Sequence, residues 1–162
     1  MDNNKNKKLE IDRINNAFLY IKKKEFKKAE DIFKDLIKKK TKNFDVYVNF
    51  ARILGLQNKK KEMVEAYKEA LKLNHNFHEA YSNIGNTYFE KKEFKKAISY
   101  YDQAVKLNPL QAESFYNYGN ALMEVEDFKK AISCYEKAIK INPNFYLAYN
   151  NLANIYANQG NL

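Results

Sequence analysis

Ala80-Tyr81-Ser82-Asn83-Ile84-Gly85-Asn86 returns 34 residues later as Ser114-Phe115-Tyr116-Asn117-Tyr118-Gly119-Asn120, and again as Ala148-Tyr149-Asn150-Asn151-Leu152-Ala153-Asn154. A second stretch keeps the same period. Glu93-Phe94-Lys95-Lys96-Ala97-Ile98-Ser99-Tyr100-Tyr101 matches Asp127-Phe128-Lys129-Lys130-Ala131-Ile132-Ser133-Cys134-Tyr135, and Asn108-Pro109 matches Asn142-Pro143. A fixed period of this size marks an array in which each unit buries its apolar face only against its neighbours. Extended backwards, the register sets units at 10–43, 44–77, 78–111 and 112–145, with a half unit at 146–162. Residues 1–9, polar and lysine-bearing, read as a disordered basic tail.

Within a unit, Tyr81, Ile84, Gly85 and Tyr88, then Phe94, Ala97, Ile98, Tyr101 and Ala104, fall at helical spacing. The expectation is a helix, a short turn and a second helix. Ala17, Ala51, Gly85, Gly119 and Ala153 hold one place in the first helices, and Ala29, Ala97 and Ala131 another in the second. Small side chains there let paired helices approach while Tyr88, Tyr101 and Tyr135 fill the space beside them. Pro109 and Pro143 cannot continue a helix and so separate one unit from the next.

This pattern resembles the tetratricopeptide repeat family over roughly residues 10 to 162. The resemblance implies an all-α fold, a right-handed α-solenoid of stacked antiparallel helix pairs, with a concave groove lined mainly by the first helix of each pair. The third and fourth units match best. The first departs, with Arg13 and Asn16 where Tyr81 and Ile84 later stand, as suits a cap with no upstream neighbour. The second has Met63 for Ala97 and Lys60 for Phe94, so its packing should be looser or rearranged. The half unit, with Tyr149, Leu152, Ile155 and Tyr156 on one helix, reads as the end of a fragment of a longer array or as a self-association surface.

The chain has 162 residues, 45% hydrophobic and 30% charged, with 4 Gly and 2 Pro, which excludes disorder and the many turns of a β-sandwich. No apolar run nears the ~18 residues of a membrane span. One cysteine, Cys134, and two histidines, His75 and His78, assemble neither a disulfide nor a usual zinc set, so no metal or cofactor is expected and the compartment is read as reducing and cytoplasmic. There is no phosphate loop and no nucleophile beside a base, so no catalytic residue is assigned and an enzyme is not expected. Net charge is +9, all of it in residues 1–77, which hold 20 Lys+Arg against 11 Asp+Glu, while residues 78–162 hold 9 of each. Lys27-Lys28, Lys95-Lys96 and Lys129-Lys130 align by register into a basic edge, but Glu25, Glu93, Glu126 and Asp127 interleave with them, which disfavours nucleic acid.

One first-helix residue is the same in every unit: Asn15, Asn49, Asn83, Asn117 and Asn151, with Asn86, Asn120 and Asn154 a second row one helical turn along. A primary amide both donates and accepts, so a spaced row can pair with the backbone of an extended peptide. The row resembles the asparagine ladder of O-linked N-acetylglucosamine transferases, which implies either a peptide-binding module or the substrate-recruiting region of a larger, glycosyltransferase-like enzyme. Glu79, Ser82, Glu90, Glu113, Tyr116 and Glu124 complete the groove-side set, and the four carboxylates favour a ligand carrying Lys or Arg. Family members that clamp the acidic Hsp70 or Hsp90 tail use Lys and Arg in the groove. Here the corresponding places hold Ile14, Phe18, Asn49, Glu79 and Asn83 in the first possible frame, Val48, Arg52, Asn83, Glu113 and Asn117 in the next, and Ser82, Asn86, Asn117, Leu147 and Asn151 in the last; none supplies the set of basic residues, so that tail is not the expected partner.

Overall fold

The computed structural model describes the backbone of residues 2–160 and the side chains of residues 7–157 and 160. Among them are nine helices and no strand: α1 Asp2–Lys22, α2 Phe26–Lys38, α3 Phe44–Leu56, α4 Lys60–Leu73, α5 His78–Glu90, α6 Phe94–Leu107, α7 Ala112–Met123, α8 Phe128–Ile141 and α9 Tyr146–Gly160. They fall into two compact units, Met1–His75 with α1 to α4 and Asn76–Leu162 with α5 to α9. α1 starts at Asp2, so residues 2–9 extend the first helix where the sequence led us to expect a disordered tail; Met1 lies outside the described residues.

The turn inside each full repeat is built the same way. Lys24, Asn58, Lys92 and Glu126 take positive φ at 60°, 58°, 60° and 60°. The next residue in each case donates its N–H five residues back, from Glu25 to Tyr20, Lys59 to Leu54, Glu93 to Tyr88 and Asp127 to Leu122, at 2.8–3.0 Å. This is the Schellman closure, which satisfies carbonyls the helix end would otherwise leave open. The left-handed place is one where glycine is favoured, and none of the four is glycine.

In the Met1–His75 unit, Ile14, Ala17, Ala29, Phe33, Leu36, Val46 and Ile53 form the core. Beside it Glu30 is fully buried, where the register puts Val64, Ile98 and Ile132 in later repeats. Its carboxylate accepts from Lys59 Nζ at 3.0 and 3.1 Å and pairs with Lys34, so α2 is tied to the start of α4. Burial alone would raise this carboxyl; the hydrogen bonds from Lys34, Lys59 and Gln57 outweigh it and hold the pKa down to about 2. The second repeat is rearranged around Met63, whose Sδ lies 3.0 Å from where a Cβ on Gly55 would stand. Gly55 occupies the place of Phe89, and its missing side chain makes room for the long thioether.

In the Asn76–Leu162 unit, Tyr101 packs with Ala97 and Ala121, and Tyr135 with Leu122, Ala131, Ala138, Ala148 and Ile155. Both tyrosines are buried, as their spacing implied. Cys134 is a buried thiol in the same cluster, and burial, aided by Asp127 and Asp102, pushes its pKa up to about 12. Ala153 is exposed on α9, unlike Gly85 and Gly119 at the same register on α5 and α7.

Candidate functional site

Asn83 and Asn86 of α5, Asn117 and Asn120 of α7 and Asn151 of α9 are engaged within the protein before any ligand is considered. Tyr101 donates its hydroxyl to Asn86 Oδ1 at 2.7 Å, and Asn117 Nδ2 donates to the same oxygen at 3.3 Å. One repeat on, Tyr135 donates to Asn120 Oδ1 at 2.8 Å and Asn151 Nδ2 donates to it at 2.9 Å. Asn151 Nδ2 also reaches the Tyr135 hydroxyl at 3.3 Å. Each relay therefore joins three helices: the two of one repeat and the first helix of the next. The spacing that builds it, Asn followed 15 residues later by Tyr, is present in the sequence at Asn86/Tyr101 and Asn120/Tyr135 but was not read as a bond.

Asn83 Nδ2 donates to the Glu79 carbonyl at 2.8 Å, and in the other unit Asn49 Nδ2 donates to the Asp45 carbonyl at 2.8 Å, one turn back on their own helices. Asn15 is exposed on α1. A primary amide offers two donor hydrogens and a two-lone-pair oxygen, so these single bonds fix side-chain orientation and leave capacity for a ligand. Ser82 Oγ lies 3.1 Å from Ser114 Oγ, whose hydroxyl also donates to Gln111 Oε1, so it serves the α5–α7 contact.

Asn120 and Asn154 of the second row meet one of the carboxylates, Glu124, in one place. A cleft of about 300 Å³ is lined by Phe89, Tyr116, Asn120, Met123, Glu124, Tyr135, Asn151 and Asn154. Five of the sequence-selected residues, Tyr116, Asn120, Glu124, Asn151 and Asn154, come together here. Tyr116 is half-buried and set edge-on against Phe145 at 5.1 Å and tilted toward Tyr135 at 6.0 Å, so it is a fixed wall of the cleft. Glu124 is exposed at the end of α7 and Asn154 is exposed on α9. Burial pushes the Tyr135 phenol up to about 12, with Asn151 acting in the opposite sense, so at neutral pH the hydroxyl stays protonated and donating. Glu90 and Glu113 are exposed on α5 and α7 and Glu79 is half-buried on the first turn of α5; none of them lines this cleft.

In each compact unit, lysines at second-helix starts are partly neutralised by the acidic residue that precedes the helix. Lys28 pairs with Glu25, Lys96 with Glu93 at 2.5 Å and Lys130 with Asp127 at 2.8 Å. His78 bonds its Nε2 to the Asn108 amide at 3.2 Å, linking α5 to the turn after α6, and His75 is exposed. Among the described residues no group of three or more His, Cys, Asp or Glu could hold a metal ion, and no helix is long and apolar enough to cross a membrane.

Family models described as TPR repeat match residues 51–92 and 119–160, and one described as Tetratricopeptide repeat matches residues 78–109. Comparison with curated proteins returns no match. Among solved structures, one of MamA is 26% identical with a TM-score of 0.82, covering 89% of this chain and 84% of that one. YrrB, described as a TPR protein with an unusual peptide-binding site, is 26% identical with a TM-score of 0.72, covering 83% of this chain and 69% of that one. The first TPR of Spaghetti (RPAP3), bound to the HSP90 peptide SRMEEVD, is 23% identical with a TM-score of 0.67 over 72% of this chain and 93% of that one, a likeness of fold alone.

Proposed function

The chain belongs to the tetratricopeptide repeat family, and from that premise we propose that it is a protein-interaction module that holds a segment of a partner protein in the asparagine-lined cleft of α5 to α9. The observation that carries this reading is the meeting of Asn120, Asn151, Asn154 and Glu124 with the aromatic walls Phe89 and Tyr116 in one cleft. Amides can pair with the backbone of an extended or helical segment, the rings supply apolar contact, and Glu124 favours a Lys or Arg on the ligand. The described peptide-binding site of YrrB, a relative in fold and sequence, supports a peptide as the ligand class. Glu79 and Glu113, in the Asn76–Leu162 unit where an acidic-tail clamp would need cations, weigh against an acidic C-terminal tail.

The test uses the full chain as bait in a lysate of its source, beside an Asn154→Ala/Glu124→Gln variant. Both substitutions are on exposed residues outside the Tyr135 relay, so far-ultraviolet circular dichroism should be unchanged. Loss of captured proteins with the variant, and recovery by a Lys-containing peptide from one of them, supports the cleft. Capture that is unchanged by the variant rejects it.

A second reading, self-assembly, is favoured by the outer face of α9, where Tyr146, Leu147, Tyr149 and Tyr156 are 72%, 54%, 45% and 50% exposed. Sedimentation across protein concentration, with Tyr149→Ser/Tyr156→Ser as the comparison, decides it: a mass that stays monomeric excludes a second copy on this face.

A further inference from the structure

The Met1–His75 unit carries a notch that the register of the repeats leaves empty. It measures about 440 Å³ and lies between α2, α3 and α4, with Ile37, Tyr47, Phe50 and Ala66 as its apolar lining. The corresponding space in the third repeat is filled. Tyr100, 34 residues after Ala66, stacks on Tyr88 at 5.4 Å and packs against Tyr81 at 6.3 Å, and Tyr81 is the counterpart of Tyr47. In the fourth repeat the same place holds Cys134, which is buried. Replacing a tyrosine by alanine at this place leaves room for a large apolar side chain from elsewhere.

The rim differs from its counterparts in sign. Glu62, Glu65 and Glu69 line it on successive turns of α4, where the third repeat has Lys96, Ser99 and Gln103 and the fourth has Lys130, Ser133 and Lys137. Lys61 is the one basic residue of the lining. The start of α4 is also charge-swapped. Lys59 stands where Glu25, Glu93 and Asp127 stand in the other repeats, and its ammonium is drawn to the buried Glu30 at 3.0 Å. Glu65 and Glu69 pair with Lys68 at 3.0 Å and Lys72 at 2.5 Å, exposed contacts of the kind worth little and readily exchanged for another cation. A chain of net charge +9 thus gathers three carboxylates around one apolar notch.

We infer that this notch is a second docking site, for a partner segment that seats one large aliphatic or aromatic side chain in the space beside Tyr47 and Ala66 and sets flanking Lys or Arg residues against Glu62, Glu65 and Glu69. The apolar anchor supplies the binding and the carboxylates select against acidic segments. It is separate from the cleft of α5 to α9 and does not depend on that cleft binding anything.

The probe is a capped pentapeptide with one leucine between two pairs of lysines, titrated into the ¹⁵N-labelled chain and followed by amide shifts. Binding at the notch moves the amides of Phe50, Ala66 and Glu69, weakens with added salt, and is lost when the leucine becomes alanine or the lysines become glutamate. Ala66→Tyr, which places at this position the ring that Tyr100 supplies in the third repeat, should abolish the shifts. Should that variant not fold, Glu62→Lys/Glu69→Lys, both exposed, should do the same. Shifts confined to α5–α9, shifts independent of the leucine, or none at millimolar peptide overturn the proposal. It is equally overturned if these amides move with protein concentration alone, because the occupant is then a second copy.

Discussion

The ring of Tyr101 stands 2.8 Å from the position a Cβ on Gly85 would occupy, and the ring of Tyr135 stands 2.7 Å from the same position on Gly119. These contacts set the distance between the two helices of the third and fourth repeats. The rings cannot swing away, because their hydroxyls are held by Asn86 and Asn120 on the same first helices as the glycines. Glycine is required here by close approach and not by φ, since both lie in regular helix.

Gly85→Ala should therefore destabilise the chain by about 1–3 kcal/mol, as overpacking does in a filled core. Gly55→Ala is the contrast. Its Cβ would meet only the Met63 thioether at 3.0 Å, a group that can shift, and alanine regains up to ~1 kcal/mol of helix propensity over glycine. Urea unfolding of both variants should show opposite signs; a neutral Gly85→Ala would mean that the helices part freely.

Removing the Tyr135 hydroxyl isolates the relay from the packing. Tyr135→Phe leaves Asn120 Oδ1 and Asn151 Nδ2 with one partner fewer at 2.8 and 3.3 Å while keeping the ring against Gly119. The expected loss is about 1–2 kcal/mol. Asn120→Ala should cost a similar amount, and the double variant less than the sum of the two, because both break one network. Additive losses in that cycle would show that the three side chains do not act together.

Much of the architecture was legible from period alone. The 34-residue register located the helix pairs, the glycines under the tyrosines and the buried tyrosine rows, because those depend on residue size at fixed places. The asparagine rows were visible as identities, but not which partners their amides would choose: a bond between Asn117 and Asn86 depends on the rotation of α7 against α5, which period does not fix. The notch was hidden for another reason. It arises from a side chain that is smaller than its counterpart, Ala66 for Tyr100, and such an absence has no motif. Polar, lysine-bearing residues 2–9 carry no apolar period that would mark a helix, yet α1 includes them, and lysine is a fair helix former.

The left-handed turn residues give a test whose sign depends only on backbone. Lys92 sits at φ 60° after α5, a conformation that costs a side-chain-bearing residue about 1–2 kcal/mol and glycine almost nothing. Lys92→Gly should raise stability by ~0.5–1 kcal/mol after the extra unfolded-state freedom of glycine is deducted. The same substitution at exposed Lys137, within α8, should lower it by ~0.5–1 kcal/mol. Thermal unfolding of the pair checks both, and a shared sign would refute the turn geometry.

Glu30 predicts how the chain responds to acid. Its carboxyl is held at about 2 against an ordinary 4.5 by Lys34, Lys59 and Gln57, against the opposing effect of burial. A carboxylate lowered in the folded state contributes stability that is complete above pH 4.5, falls as pH drops below that value, and is gone once pH passes through the folded pKa near 2. The contribution is on the order of 3 kcal/mol, from 1.36 kcal/mol per pKa unit. Glu30→Gln should flatten the stability curve between pH 4.5 and 2 while lowering it at neutral pH. Glu30→Ile, which installs the residue found at Ile98 and Ile132, should also lose the acid dependence. It should keep more of the neutral-pH stability, because Lys34 and Lys59 are 53% and 38% exposed and can rehydrate when the carboxylate is gone. Urea midpoints measured at each pH separate the variants, and an unchanged acid limb in Glu30→Gln would place the proton uptake elsewhere.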